Sequence, residues 1–160
     1  MKGDDAMWRT RCGPLLFALL VGGLGACGSD DPLGSGNDPL IEPFVGDWEA
    51  TELVVVNDAN ASDSVDVLEE GGTFTINVQP SGTYTATLSF LGAPFVEIGQ
   101  LSVFESTLIL QPTQPPGPSA TSTFEFDGSD NLTLDGPLDF DFNADGTPEP
   151  GQGHIELVRQ

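Results

Sequence analysis

Between Trp48 and Arg159 the sequence changes polarity with a period of two residues, and this constrains the fold more than any other feature. Phe74, Ile76 and Val78 alternate with Thr73, Thr75, Asn77 and Gln79, and Tyr84, Ala86, Leu88 and Phe90 alternate with Thr83, Thr85, Thr87 and Ser89. Successive side chains of an extended chain point to opposite faces, so each run reads as a strand with one buried face. Pro80, Ser81 and Gly82 separate the two runs and supply a turn, which makes them a hairpin.

The same reading extends to both ends. Residues 48–57 are rich in β-branched groups and predict a first strand. Residues 95–104 change parity, from Val96 and Ile98 to Leu101 and Val103, which predicts a bulge or bend at Gly99. Further strands are predicted over 107–111, over 119–127 with Phe124 and Phe126 on one face, and over 131–135. Residues 138–143, with Leu138, Phe140 and Phe142 alternating against Asp139, Asp141 and Asn143, and residues 154–159 complete nine. Residues 112–118 read as a rigid proline loop, and the connection over 63–70 is the longest stretch open to a helical reading. Short sequential strands with local turns imply an antiparallel meander, and a meander hides its edges by closing. The fold class expected is therefore all-β, a small antiparallel up-and-down barrel of about eight or nine strands. An open β-sandwich is the alternative.

The first 26 residues have a different character. Lys2, Arg9 and Arg11 precede an apolar run from Leu15 to Leu24, which is about half the roughly 20 residues a spanning helix needs. This is the pattern of an export signal. Asp4 and Asp5 are unusual in a basic leader, and a start at Met7 would leave Trp8, Arg9, Thr10 and Arg11 as its basic segment. Leu24, Gly25, Ala26 and Cys27 resemble the lipobox of bacterial lipoproteins. That resemblance implies a signal peptide over 1–26, acylation of Cys27, and membrane attachment through the acyl chains. Gly28 stands where an aspartate is associated with inner-membrane retention, so the resemblance implies the outer membrane of a Gram-negative cell, facing periplasm or cell surface. Residues 27–43 are rich in glycine, serine, proline and acids, a composition that cannot bury enough to order itself, and read as a tether. The folded domain then spans 44–160.

Removing the leader simplifies cysteine and charge together. Cys12 departs and Cys27 carries lipid, so no disulfide forms within one mature chain. The sequence holds four basic and 25 acidic residues; only Arg159 and 23 acids lie beyond Cys27, a balance of about −22. Nucleic acid and anionic headgroups are poor partners for such a surface, because phosphate binding needs Lys and Arg.

Phe44, Val45, Gly46, Asp47 and Trp48 are similar to the Gly-x-Trp opening of lipocalin-type barrels, and Arg159 stands where that family has an arginine on its final strand. The resemblance implies that Trp48 plugs one end of the barrel, that Arg159 packs across the indole, and that Gly46 belongs to the same closure. It also implies a small apolar ligand, with Phe74, Ile76, Tyr84, Leu88, Phe90, Phe124 and Phe126 as lining residues.

Two further patterns carry chemistry. Asp141, Asn143, Asp145 and Gly146, continued by Thr147 and Glu149, follow the first half of a D-x-[DN]-x-[DN]-G calcium loop, with oxygen groups at alternate positions and glycine at the turn. Gln152 replaces the bidentate glutamate at position twelve and no helices flank the loop, so an Asp-Gly turn with solvated acids is the competing reading. Catalysis has little support. His154 is the sole histidine, no nucleophile elbow or zinc-ligand spacing is present, and a carboxylate pair such as Glu69 and Glu70 is expected by chance among so many acids. Strict alternation from Trp48 turns Glu52 inward unless a bulge returns it to solvent. The expectation is a non-enzymatic, membrane-anchored envelope lipoprotein with no cofactor beyond a weak calcium ion. It either binds a small apolar ligand or serves, with a solid core, as a structural or protein-interaction module.

Overall fold

The alternating segments pair in chain order. The computed structural model describes residues 38–160 apart from Leu91 and Ala144. After a 3-10 turn at Glu42–Phe44 the strands are β1 (Gly46–Asn57), β2 (Asn60–Asp66), β3 (Thr73–Val78), β4 (Thr83–Phe90), β5 (Ala93–Phe104), β6 (Thr107–Gln114), β7 (Ala120–Asp127), β8 (Asn131–Pro137) and β9 (Gly151–Arg159). All pairings are antiparallel. Among the described residues no helix is long and apolar enough to cross a membrane.

Closure rests on β1. One edge of it runs along β9, from Trp48 opposite Arg159 to Asn57 opposite Gly151. Its other edge is shared: β3 takes the first part, with Gly46 opposite Val78, and β2 takes the last part, with Val54 opposite Asp66. The circuit β1-β3-β4-β5-β6-β7-β8-β9 is a closed eight-stranded barrel, and β2 is a ninth strand outside it. An open sandwich is thereby excluded.

Two segments differ from the sequence reading. Residues 63–70 are not a helical connection: β2 occupies the first part and a turn the rest. The Asp66 side chain holds that turn by accepting the N–H groups of Leu68 at 2.9 Å and Glu69 at 3.1 Å. Residues 138–143 do not form a strand, and only an isolated bridge joins Phe140 to Glu149. Pro148 and Pro150 lack the N–H groups a ladder needs, and Asp141 and Asn143 bind backbone groups of their own loop.

A register shift does fall between Ile98 and Gly99, where the sequence predicts a bulge, but the side-chain parity of β5 does not change there. The β4–β5 register runs unbroken from Thr83 opposite Gln100 to Phe90 opposite Ala93. The irregularity lies on the β6 side, where Ile98 faces Gln114 and Gly99 faces Pro112, leaving Thr113 as the extra residue. Gly99 is required for another reason. A Cβ there would lie 2.6 Å from the Tyr84 ring. With parity continuous, Glu97 pairs with Ala86 on the inner face, while Val96 is 48% exposed.

In β1 the register skips Thr51 between Ala50 and Glu52. This bulge moves Glu52 to the outer face and brings Leu53 and Val55 inward, both buried. Two clusters of buried side chains occupy the interior. Ile41, Phe44, Trp48, Ile76, Val78, Tyr84, Ala86, Leu101, Leu108, Leu132, Leu134 and Leu157 form one cluster, and Leu53, Val55 and Val67 form a second. Phe74 and Ile155 pack against both. Each large side chain buried in this way contributes about 1.5–3 kcal/mol.

Candidate functional site

The two ends of the barrel are built differently. At the end beside the 3-10 turn, Trp48 is 1% exposed, and its indole N–H donates to the Phe44 carbonyl at 2.8 Å. The Arg159 guanidinium lies 4.2 Å from the indole centroid. Its Nε donates to the Ser129 carbonyl at 3.1 Å, one terminal nitrogen donates to Pro43 and Ser129, and the other to Val45. Gly46 takes φ +137°, and a Cβ on it would stand 2.7 Å from the guanidinium. Glycine two residues before the tryptophan is therefore what lets the arginine cross. Phe44, Phe124 and Phe126 complete this end, with ring centroids 5.0 to 6.0 Å apart. Its polar groups are directed at one another, which suits it to closing the barrel.

Of the residues assigned to ligand lining, Ile76 and Tyr84 are buried in the closed-end cluster, and Phe124 and Phe126 pack against it. Phe74 bridges the clusters, and Leu88 and Phe90 join the second. Inside the barrel sits a polar pair that residue patterning does not reveal. The Tyr84 hydroxyl donates to Glu97 Oε1 at 2.6 Å. Burial, and then this hydrogen bond, push the phenol well above its ordinary pKa. Apolar residues at both parities of β5 hid Glu97.

The opposite end remains open at the surface. A cleft of about 430 Å³ lies between β2, the turn after it, the end of β4 and the loop before β9. Phe90, Phe140, Phe142 and Val65 supply its apolar surface, and Ser64, Asp66, Glu69, Glu70 and Asp141 its polar surface. The Phe90 and Phe140 centroids are 5.7 Å apart, and Phe140 and Phe142 are 5.2 Å apart. Phe90 is the one assigned lining residue that reaches this cleft.

The acidic loop forms one wall. Asp141 accepts N–H groups of Asp145 at 3.0 Å and Gly146 at 2.7 Å, Asn143 accepts the Asp145 N–H at 2.8 Å, and Asp145 accepts that of Thr147 at 2.8 Å. Glu149 accepts from Phe142 N–H at 3.0 Å and from Asn143 Nδ2 at 2.6 Å. One carboxylate oxygen each from Asp141, Asp145 and Glu149 falls within 4.8 Å of the others. These are the oxygen groups a hard cation would use; the same oxygens hold the turn through the loop's own amides. Gly146, at φ +87°, makes the turn.

On the outer face of the seam where the barrel closes, His154 Nδ1 lies 2.6 Å from Asp135 Oδ1. That hydrogen bond raises the imidazole pKa, with partial burial opposing it and Glu52 and Glu156 adding smaller upward contributions. Sequence spacing gives no sign of this cluster, because its members come from three strands and depend on the Thr51 bulge.

The predicted export signal, Cys27 and most of the predicted tether lie outside the described residues.

No protein-family model and no curated protein sequence matches this chain. Among solved structures, EF1p2_mFAP2b bound to DFHBI is similar, at 17% sequence identity and a TM-score of 0.48, over 76% of this chain and 97% of that one. The barrel class rests on the strand pairing itself, which closes through β1 and β9.

Proposed function

We propose that this protein is an exported, lipid-anchored envelope protein whose lipocalin-like barrel holds a small ligand at its open end. The ligand class is an apolar, aromatic body bearing a positive charge. The cleft of about 430 Å³ carries this reading, since its size falls within the roughly 300–1,000 Å³ of small-molecule sites. Three phenylalanines offer flat apolar surface, and a cation above their faces gains further energy. Glu69 and Glu70, exposed at the rim, favour the same charge.

The anchoring part rests on Leu24, Gly25, Ala26 and Cys27 and on the acidic surface, which offers no electrostatic hold on anionic lipid. Acyl chains, at about 0.8 kcal/mol per buried CH₂, supply the attachment. Cys27→Ser should move the protein from membrane to soluble fractions; a variant that stays on membranes contradicts the anchor.

The binding part is tested with thioflavin T, a small aromatic cation. Fluorescence titration should give saturable binding to the wild type, weakened about 10-fold, or 1.4 kcal/mol, by Phe140→Ser. Equal binding by both proteins removes the site. The second reading, a structural or interaction module without a ligand, is favoured by the packing of Ile76, Tyr84, Phe124 and Phe126 into the interior. It predicts no saturable binding at all.

A further inference from the structure

The closing seam carries a second constellation, far in character from the aromatic mouth. The extra residue Thr51 turns Glu52 onto the outer face of β1, directly opposite Glu156 of β9. Like charges directly opposite across two strands repel. No lysine or arginine relieves them, since Arg159 is the only such residue among those described and is held at Trp48. What stands beside them is His154. Its Nδ1 lies 2.6 Å from Asp135 Oδ1 and its Nε2 lies 3.8 Å from Glu156 Oε1. One ligand atom each from Glu52, His154 and Glu156 lies within 4.8 Å of the others.

The hydrogen-bond chemistry sharpens this arrangement. A neutral imidazole that donates from Nδ1 to Asp135 presents a lone pair at Nε2. In that neutral form the lone pair and two carboxylates converge from two strands; in the protonated form Nε2–H faces Glu156 instead, so an ion competes with a proton for the site. A histidine oriented by a carboxylate at one nitrogen, with its other nitrogen directed at anionic oxygens, is the arrangement that metal-binding imidazoles adopt.

We propose that Glu52, His154 and Glu156 bind a divalent transition-metal ion of the zinc class, with Asp135 as the positioning residue behind the imidazole. Donors at about 2.1 Å from zinc stand roughly 3.4 Å apart in a tetrahedron. Rotation of the two glutamate side chains supplies the contraction, as Glu156 is exposed and Glu52 half-exposed. Water completes the coordination on the solvent side. An imidazole selects borderline ions over calcium, which prefers oxygen throughout. The ion would fasten β1 to β9, the one pairing on which closure of the barrel depends.

This chain has one histidine, so its ring signals in a proton NMR spectrum belong to His154 alone. Zinc added to the full chain should shift those signals and saturate at one equivalent per ring. Glu52→Gln, Glu156→Gln and Asp135→Asn should each weaken the response about 10-fold or more. Asp141→Asn should leave it unchanged, and millimolar calcium should not reproduce it. Bound zinc should also raise the melting temperature of the wild type but not of His154→Gln. Ring signals unmoved by zinc overturn the site, as does a zinc response equally strong in the Glu52→Gln and Glu156→Gln variants. Thioflavin T binding is indifferent to either result, because no residue of this cluster lines the mouth cleft.

Discussion

The closed end and the open end of this barrel use the same kinds of residue to opposite effect. At the closed end, Trp48 and Phe44 are buried, and the Arg159 guanidinium is consumed by an indole face and the carbonyls of Pro43, Val45 and Ser129. At the open end, Phe90, Phe140 and Phe142 are partly buried and face a cleft, with Glu69 and Glu70 at its rim. One end directs the polar groups around Trp48 at one another, which yields stability. The other holds its loop with short-range hydrogen bonds and leaves aromatic surface and charge available. Buried packing and accessible aromatic surface are thus segregated along the barrel axis.

Substitutions that break this contrast should have unequal effects. Trp48→Ala removes the plug and should cost about 3–5 kcal/mol in urea denaturation; a cost under 1 kcal/mol would mean that the closed end is not the stability centre. Arg159→Lys keeps the charge but loses the planar fork, which spans three carbonyls and the indole. It should cost about 2–3 kcal/mol and behave nearly as badly as Arg159→Leu. If lysine restores full stability, charge alone explains the contact.

Tyr84→Phe strips Glu97 of its donor inside the barrel and should cost about 1–2 kcal/mol. The same pair sets an alkaline limit. The folded phenol holds its proton above the ordinary tyrosine value, so its contribution is complete below about pH 10 and is lost as pH rises further, because the unfolded chain ionises first. Tyr84 is the only tyrosine, so an absorbance titration of tyrosinate reads it directly, and stability above that pH should fall less steeply in Tyr84→Phe. At the mouth, Asp141→Ala should cost only about 1 kcal/mol or less, since it removes amide caps in an exposed loop. A larger loss would make the loop part of the core.

What the sequence displays depends on whether a segment has one buried face. β3 and β4 alternate strictly because Ile76, Val78, Tyr84 and Ala86 are inside and their threonine neighbours outside. β2 pairs only with the end of β1 and is mostly polar on both faces, so no alternation marks it. Residues 138–143 fail in the opposite way. Phe140 and Phe142 are spaced like a strand's inner residues because they pack against the cluster of Leu53, Val55 and Val67, yet prolines and capping acids deny them a ladder. Trp48, Gly46 and Arg159 are legible because the chain beyond Cys27 has no other arginine or lysine, whereas Glu97 and the Glu52–His154–Glu156 cluster depend on register, which a single bulged residue resets. The mouth cleft, assembled from four separate segments, has no signature in any one of them.

The division of labour between the two ends is tested most directly by mapping amide chemical shifts during thioflavin T titration of the isotopically labelled protein. Perturbations should concentrate at Ser64, Val65 and Asp66, at Phe90, and at Phe140, Asp141 and Phe142, leaving Trp48, Ile76, Tyr84 and Phe124 in place. Perturbations centred on Ile76, Tyr84 and Phe124 would put the ligand inside the barrel and contradict the account.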